Sequence, residues 1–433
     1  MSAVGAPPLR YLLNPAVEAQ QHNGGLVLKL PPWNRALAAT VFQHGLLRCF
    51  DVPKTIAEVL AERPFQRAAA ARFLDEAVQL GLLAPLDDDG ALVLPPLVDV
   101  PQRFAHATAW DAAHAAHFVI VGAPLDQGVT GRAGARFGPT AMRDAAAGAR
   151  SQVDPVTLAP VGFHDFASGR TLLKGVTLAD AGDVLVQPGE PAARARARLT
   201  RVLQDVAQAG SVPFVLGGDH SITRATLEAV PEGEGPLHVL HLDAHTDLGE
   251  VVPGAGLHHG NVMSVVFAEL PHVAGVHQLG LRGIYDAPTH APHPKVRQLG
   301  VDGLRQGELA RFLDGIPQHA RCWLSLDIDV VDPAFAPSTG TPVPGGLLPH
   351  EVKAIVEAAA RARRFVGGEV VEVAEPLGPA DATAGVAVSC MFAFLQGMVD
   401  SAEAAWPTRR TSPTRKSSPR SSRSPSRRRS PSR

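Results

Sequence analysis

Three short segments of this chain gather side chains able to do metal-assisted chemistry. Gly217 to Ser221 reads GGDHS, Asp243 to Asp247 reads DAHTD, and Ser325 to Pro333 reads SLDIDVVDP. A lone GGDH is often a strand-end turn with a capping Asp, and a lone DxD is often a solvated loop, so the argument rests on all three together. Where the backbone stays extended, Asp243 and His245 point to one side by the two-residue period and Asp247 can follow; Asp327 and Asp329 share a side likewise. With His220 this brings four carboxylates and two imidazoles towards one point. Burying that much negative charge uncompensated costs many kcal/mol, so either the carboxyls are protonated and apart or cations sit between them. Two divalent ions would supply the balancing charge. Mixed imidazole and carboxylate donors suit Mn, Fe, Ni or Zn, whereas Mg and Ca rarely recruit histidine. The absence of thiolate ligands argues against a structural zinc site.

These segments directly follow short apolar runs. Strands are expected at His117 to Val121, Pro213 to Leu216, Leu237 to Leu242, His277 to Leu281, Arg321 to Leu326 and Val370 to Val373, alternating with Ala-rich helical stretches up to about residue 402. Such alternation predicts an α/β fold, a three-layer α-β-α arrangement around a parallel sheet. Ligands gather at the carboxyl ends of strands in such sheets, which is where the acids and histidines lie.

GGDHS, DAHTD and SLDIDVVDP are similar to the three signature segments of the arginase, agmatinase and formiminoglutamase superfamily. GAPLDQGVTGRAGARFGPTAMRDA, Gly122 to Ala145, resembles the opening segment of that family, and ADAGDVLV, Ala179 to Val186, resembles its Asp-Gly-Asp strand. The likeness runs from about residue 115 to 400, within a domain expected to span residues 115–402. It implies a binuclear Mn site, other divalent transition metals being possible, with His220, Asp243, Asp247 and Asp327 around one ion. His245, Asp243, Asp327 and Asp329 would surround the other. It further implies hydrolysis of a guanidino group to urea and an amine, and a homo-oligomer, commonly a trimer or hexamer. His259, in LHHGNVMS, matches the histidine that shuttles a proton to the leaving amine, with His258 as its competitor. Glu372, in EVVEVAEP, matches the carboxylate that pairs with the substrate guanidinium, as a bidentate fork does well.

Free arginine fits the pattern poorly. Gly249 and Ala255 stand where family members gripping its α-carboxylate carry Asn and Ser, and Gly283 and Tyr285 stand where acids would hold its α-amino group. Each missing charge-assisted hydrogen bond is worth about 1.5 to 3 kcal/mol. Residues 20 to 95 read as a separate small winged-helix-like unit: a strand at Gly25 to Leu30, a helix over Ala36 to Cys49, a second over Ile56 to Glu62 capped by Thr55, and a third with Phe65, Ala69, Phe73 and Ala77 on one stripe. A turn at Asp87, Asp88, Asp89 and Gly90 then closes a hairpin at Leu92 to Leu94. This pattern resembles PqqD-like recognition elements, which bind leader peptides by adding a strand to a sheet edge. On that likeness the guanidino substrate is an arginine side chain of a precursor peptide; agmatine or guanidinobutyrate is the small-molecule alternative, and a non-catalytic metal- or peptide-binding protein the alternative from another class. The third helix sets only Arg67 and Arg72 against Asp75 and Glu76, which argues against DNA binding by this unit.

The formal charge of −2 conceals an asymmetry, because ten of the 40 Lys and Arg lie in residues 407–433, which hold no acid. A segment of Arg, Ser and Pro has nothing to build a core from, so residues 403–433 are expected to be a disordered tail, either a nonspecific phosphate binder or an out-of-frame extension. The apolar run Val386 to Leu395 is too short for a membrane span, which takes roughly 20 residues. No secretory signal is visible, and Cys49, Cys322 and Cys390 form no disulfide framework, so a cytoplasmic location is expected.

Overall fold

The computed structural model describes residues 9–401 except 23–24, 63–66, 89, 91, 253, 255, 285–292 and 379. Phe65, Asp89, Ala255, Tyr285 and the basic tail therefore lie outside the described residues. The main body is built on eight strands: β1 (Phe118–Gly122), β2 (Leu178–Val184), β3 (Val212–Leu216), β4 (Leu237–Leu242), β5 (Val273–Leu281), β6 (Val296–Gly300), β7 (Arg321–Asp327) and β8 (Arg364–Val371). They pair in the order β6-β5-β4-β7-β8-β3-β1-β2, every pairing parallel. Short segments, Leu97–Val98 and Thr108–Ala109, extend the sheet at β2.

The central strands are apolar on both faces because both faces are covered. Ile120, Phe214, Leu240, Leu324 and Val370 point to one side, against Gly138–Ala145, Pro349–Ala362 and Ala380–Asp400. Val119, Val215, Val239 and Trp323 point to the other, where Ala192–Gln208, Thr223–Glu228 and Val262–Glu269 pack. This is the expected α-β-α sandwich. Within Ala380–Asp400, the segment Ala382–Asp400 is long and apolar enough to cross a membrane by composition, yet it belongs to the core helix of one layer, packed between Pro349–Ala362 and Gly138–Ala145.

Several expected boundaries shift. The strand read at Val370 to Val373 runs instead from Arg364 to Val371, and it stops because Glu372 adopts a left-handed backbone with φ 63°. β6 was absent from the expected strands, since its polar Arg297 and Gln298 sit exposed on the sheet edge. In the N-terminal region the helix expected over Ala36 to Cys49 is divided. Arg35–Ala39 is a strand paired with Gly25–Leu30, which also pairs Glu18–His22 in a three-stranded antiparallel sheet. The helix starts only at Val41, where the Thr40 hydroxyl accepts the Gln43 amide and the Gln43 side chain accepts the Thr40 amide. Thr55 and Glu58 make the same reciprocal cap on Ile56–Ala61. Arg67–Leu80 follows, and Leu83–Pro85 returns to pair with Tyr11–Leu13.

At β2, a buried guanidinium ties a helix layer to the sheet. Arg143, on Gly138–Ala145, holds both oxygens of Asp180 at 2.9 and 3.0 Å and Asp183 at 2.5 Å, while the Phe104 amide donates to Asp180. Removing the cation strands a buried carboxylate, so Arg143→Met is expected to destabilise by about 3–5 kcal/mol. Thermal denaturation checks this: the double variant with Asp180→Asn should melt above the single variant.

Candidate metal centre

Four neighbouring strands, β4, β7, β8 and β3, end side by side, and each delivers site residues in the turn that follows. Gly217 and Gly218 let the chain leave β3 tightly; a Cβ at Gly218 would lie 1.8 Å from the Leu125 carbonyl, so no other residue fits. The turn presents His220, with Asp219 accepting the Gly128 and Ser221 amides at 2.8 Å each. DAHTD is a loop beyond β4 and not a continued strand; Asp247 reaches the cluster through a left-handed backbone, φ 51°. Asp327 ends β7, and Asp329 lies in the Ile328–Val330 turn, whose first amides Asp327 caps. The shared-side expectation for Asp327 and Asp329 therefore does not hold as drawn, because a helical turn separates them.

The six side chains converge in two halves. His220 Nδ1 lies 2.9 Å from Asp247 Oδ2, 3.2 Å from Asp243 Oδ2 and 3.3 Å from Asp327 Oδ2. His245 Nδ1 lies 2.9 Å from Asp329 Oδ2 and 3.3 Å from Asp243 Oδ1. Asp243 thus gives one oxygen to each half. Asp327 gives Oδ2 to the His220 half while its Oδ1 accepts the Asp329 amide, so the structure does not show it shared with the His245 half. His245 is the most open of the set, its side chain 24% exposed against 1% for His220, which places the mouth on the His245 side.

The donor set fits divalent ions. His220 Nε2 hydrogen-bonds to Ser325 Oγ at 2.8 Å, leaving buried Nδ1 without a hydrogen-bond partner and aimed at three carboxylate oxygens. A ring nitrogen held this way is the usual posture of a ligating histidine. Two groups of ligand atoms, each within 4.8 Å of one another, follow the same halves. One of those groups counts His241, but both its nitrogens are engaged, with Asp243 and Gln278, so it supports the site from behind.

Charge among these groups is strongly displaced. Burial, then repulsion by Asp329 and Asp243, pushes Asp327 well up, and burial with Asp243 pushes Asp329 to about 6. Burial opposes a charge on the imidazoles but is outweighed: Asp243, Asp247 and Asp327 hold His220 well above its usual range, and Asp243 and Asp329 lift His245 to about 12. Asp243, which burial alone would raise, is held well below its usual range by His241, His220 and His245.

Beside the cage, Glu372 is 1% exposed. Its Oε1 accepts the His220 amide at 2.8 Å and faces His259 Nδ1 at 3.2 Å; its Oε2 is buried without a hydrogen-bond partner. The left-handed backbone at Glu372 costs on the order of 1–3 kcal/mol, a strain that concentrates at functional positions. His259, and not His258, faces this carboxylate. Its Nε2 accepts the Thr130 amide at 3.1 Å and lies 2.7 Å from Thr130 Oγ1, which assigns the proton to Nδ1, towards Glu372. Burial resists its protonation, but Glu372 raises its pKa.

Sequence reading missed Thr130, His241, Gln278 and Ser325. His241 and Ser325 were within reach: each stands two residues before a cage aspartate on its strand, which places it on the same face directly beneath. Thr130 and Gln278 come from separate segments and carry no local signal.

The model of the arginase family matches residues 116–396, most of the chain. The chain belongs to the arginase family. Among its relatives, the proclavaminate amidinohydrolase of Streptomyces clavuligerus is 36% identical over 265 residues, covering 59% of this chain and 79% of that protein. Its solved structure superposes with a TM-score of 0.59 at 30% identity, covering 70% of this chain and 98% of that one. The mitochondrial agmatinase of Gallus gallus is 33% identical, covering 59% of this chain and 73% of the relative. The guanidinopropionase of Pseudomonas aeruginosa is 31% identical over 328 residues, covering 73% of this chain and 96% of the relative. Arginase-family enzymes are binuclear metal hydrolases, and this member is an amidinohydrolase of guanidino compounds.

The displaced charges set a pH test. Without cations, Asp329 penalises the fold as pH rises from about 4 to about 6, and the ion-pair stabilisation of His220 and His245 is lost as pH rises above about 6.5 towards their raised values. The favourable term from Asp243 is complete above about pH 4 and does not change in this window. Metal-free protein should therefore lose stability between about pH 5 and 8, and the rise in Tm on adding Mn(II) should be larger at the upper end. Thermal melts with and without chelator at both pH values check this.

Proposed function

We propose that the cage holds two divalent transition ions, manganese foremost, and that the chain hydrolyses the guanidinium of an arginine side chain carried in a peptide to urea and an ornithine side chain. The observation that carries the guanidinium reading is the buried, unpartnered Oε2 of Glu372 beside the cage. A planar cation pairing with it would satisfy a buried carboxylate oxygen that the described residues leave without a donor.

When bound, two such ions supply the acidification that makes water a nucleophile at neutral pH. Glu372 pairs with the guanidinium and turns its carbon towards the cage. Water adds its oxygen to that carbon, the carbon–nitrogen bond to the side chain breaks, and both water protons finish on the departing amine. His259 carries a proton across this gap, with Thr130 holding the far side of its ring.

Three features support a peptide over free arginine. A Cβ at Gly249 would lie 2.6 Å from the Gly260 carbonyl, so that position has no room for a side chain reaching an α-carboxylate. In addition, a groove of about 640 Å3 runs from Pro32, Val98 and Asp99 to Asp126, Gln127 and Arg136, joining the N-terminal unit to the loop that carries Thr130. The N-terminal sheet also offers Glu18–His22 as an exposed edge strand, the kind of edge to which a peptide strand is added. The second reading is a small guanidino acid or amine; the names of the relatives favour it.

Urea release from Mn-loaded protein, measured over an arginine-bearing precursor peptide, agmatine, guanidinobutyrate and arginine, sorts these readings. The peptide is expected to be the best substrate and arginine the worst; no urea from any of them sinks the reaction assignment. Glu372→Gln should lower kcat/KM about a hundredfold or more, and His259→Asn should lower kcat about 10²–10⁴-fold with KM little changed.

A further inference from the structure

Behind the cage runs a hydrogen-bond chain whose polarity can be read without ambiguity. Gln278, on β5 and fully buried, places Nε2 2.6 Å from the Thr246 carbonyl oxygen and 3.0 Å from His241 Nδ1; its Oε1 lies 2.9 Å from Gln298 Nε2 on β6. A carbonyl oxygen can only accept, so the atom facing Thr246 must be the amide nitrogen; the flipped amide would set two acceptors 2.6 Å apart. The same NH2 group then donates its second hydrogen to His241 Nδ1. That nitrogen is therefore unprotonated, and the ring proton sits on Nε2. His241 Nε2 lies 2.8 Å from Asp243 Oδ2, so His241 donates to it.

Asp243 is thereby held from both ends. Its Oδ1 accepts the His245 amide at 2.5 Å, and its Oδ2 accepts the His241 ring. Each oxygen has one donor from the protein behind it and keeps its remaining lone pairs for one half of the cage. The carboxylate that joins the two halves is fixed in rotation by these two donors. Gln278 also anchors the DAHTD loop at Thr246, between His245 and Asp247.

We propose that Gln278 and His241 are positioning residues for the two-ion site: Gln278 sets the tautomer of His241, and His241 holds Asp243 turned so that one oxygen serves each ion. The proposal rests on the two-ion reading above. Losing the His241 donor frees Oδ2 and weakens the His220 half, while Oδ1 stays fixed by the His245 amide.

The test uses the full chain and Mn(II) as the probe, following metal content by chelator competition and the electron paramagnetic resonance spectrum of the ions. Wild-type protein is expected to give the spectrum of a coupled Mn pair. His241→Phe and Gln278→Leu are expected to bind one of the two ions about 10- to 100-fold more weakly. At Mn concentrations that pair the wild type, they should show the six-line spectrum of an isolated ion. His241→Gln, whose amide can place an N–H near the position of Nε2, should regain the coupled pair. A merely packing role for His241 would leave the Gln variant no better than the Phe variant, and that result overturns the proposal. Should His241→Phe fail to fold, Gln278→Leu decides alone, and a coupled pair of wild-type affinity in it also overturns the proposal. Absence of a Mn pair in the wild type would instead remove the two-ion reading itself.

Discussion

Four aspartates with little or no access to solvent meet at the carboxyl end of this sheet, and their mutual repulsion is the constraint that the surrounding structure manages. Left alone, that charge would drive the turns apart or force the acids to take up protons, as the upward displacement of Asp327 and Asp329 records. The protein answers with fixed donors. The His245 amide serves Asp243, the Ala244 amide serves Asp329, and the Asp329 amide serves Asp327. These dipoles ease the repulsion and orient the oxygens, but they cannot cancel whole charges. Divalent ions could, so the cluster that strains the metal-free fold is expected to stabilise it when loaded.

The sheet order explains how residues more than a hundred positions apart come to share one cage. Placing β7 and β8 between β4 and β3 brings four strand ends into a row, and the helices on both faces hold the row rigid. Polar side chains beneath the cage continue the same logic: Ser325 fixes His220, and Thr223 bonds Glu369 at 2.6 Å just behind Ser325. Glu372 and Asp247, with left-handed backbones, show where the fold accepts strain to aim a carboxylate.

Much of the cage was legible in the chain because each ligand lies in a short segment directly after an apolar strand, and strand ends are where such sheets gather ligands. The division of those ligands into halves was less legible. Whether Asp329 follows Asp327 along a strand or around a turn depends on the Asp327 cap, a local competition that spacing alone does not reveal. Arg35–Ala39 looked helical because Ala and Leu favour helices, and pairing with Gly25–Leu30 overrode that preference. Gln278 was invisible for a different reason: its partners come from β4, the loop beyond it and β6, so only the folded sheet assembles its role.

On the proposed reading, substrate choice rests on what surrounds the cage: the Gly260 carbonyl leaves no room for a side chain at Gly249, and a groove lies between Pro32 and the Asp126–Gln127 loop. The central claim, that the buried carboxylates are held together around two cations, is tested most directly by anomalous diffraction from crystals grown with Mn(II). Two peaks about 3.5–4 Å apart are expected, one against His220 Nδ1 and one against His245 Nδ1, with the Asp243 carboxylate spanning them. A single peak, or none at this cluster with the aspartates splayed apart, would contradict the account.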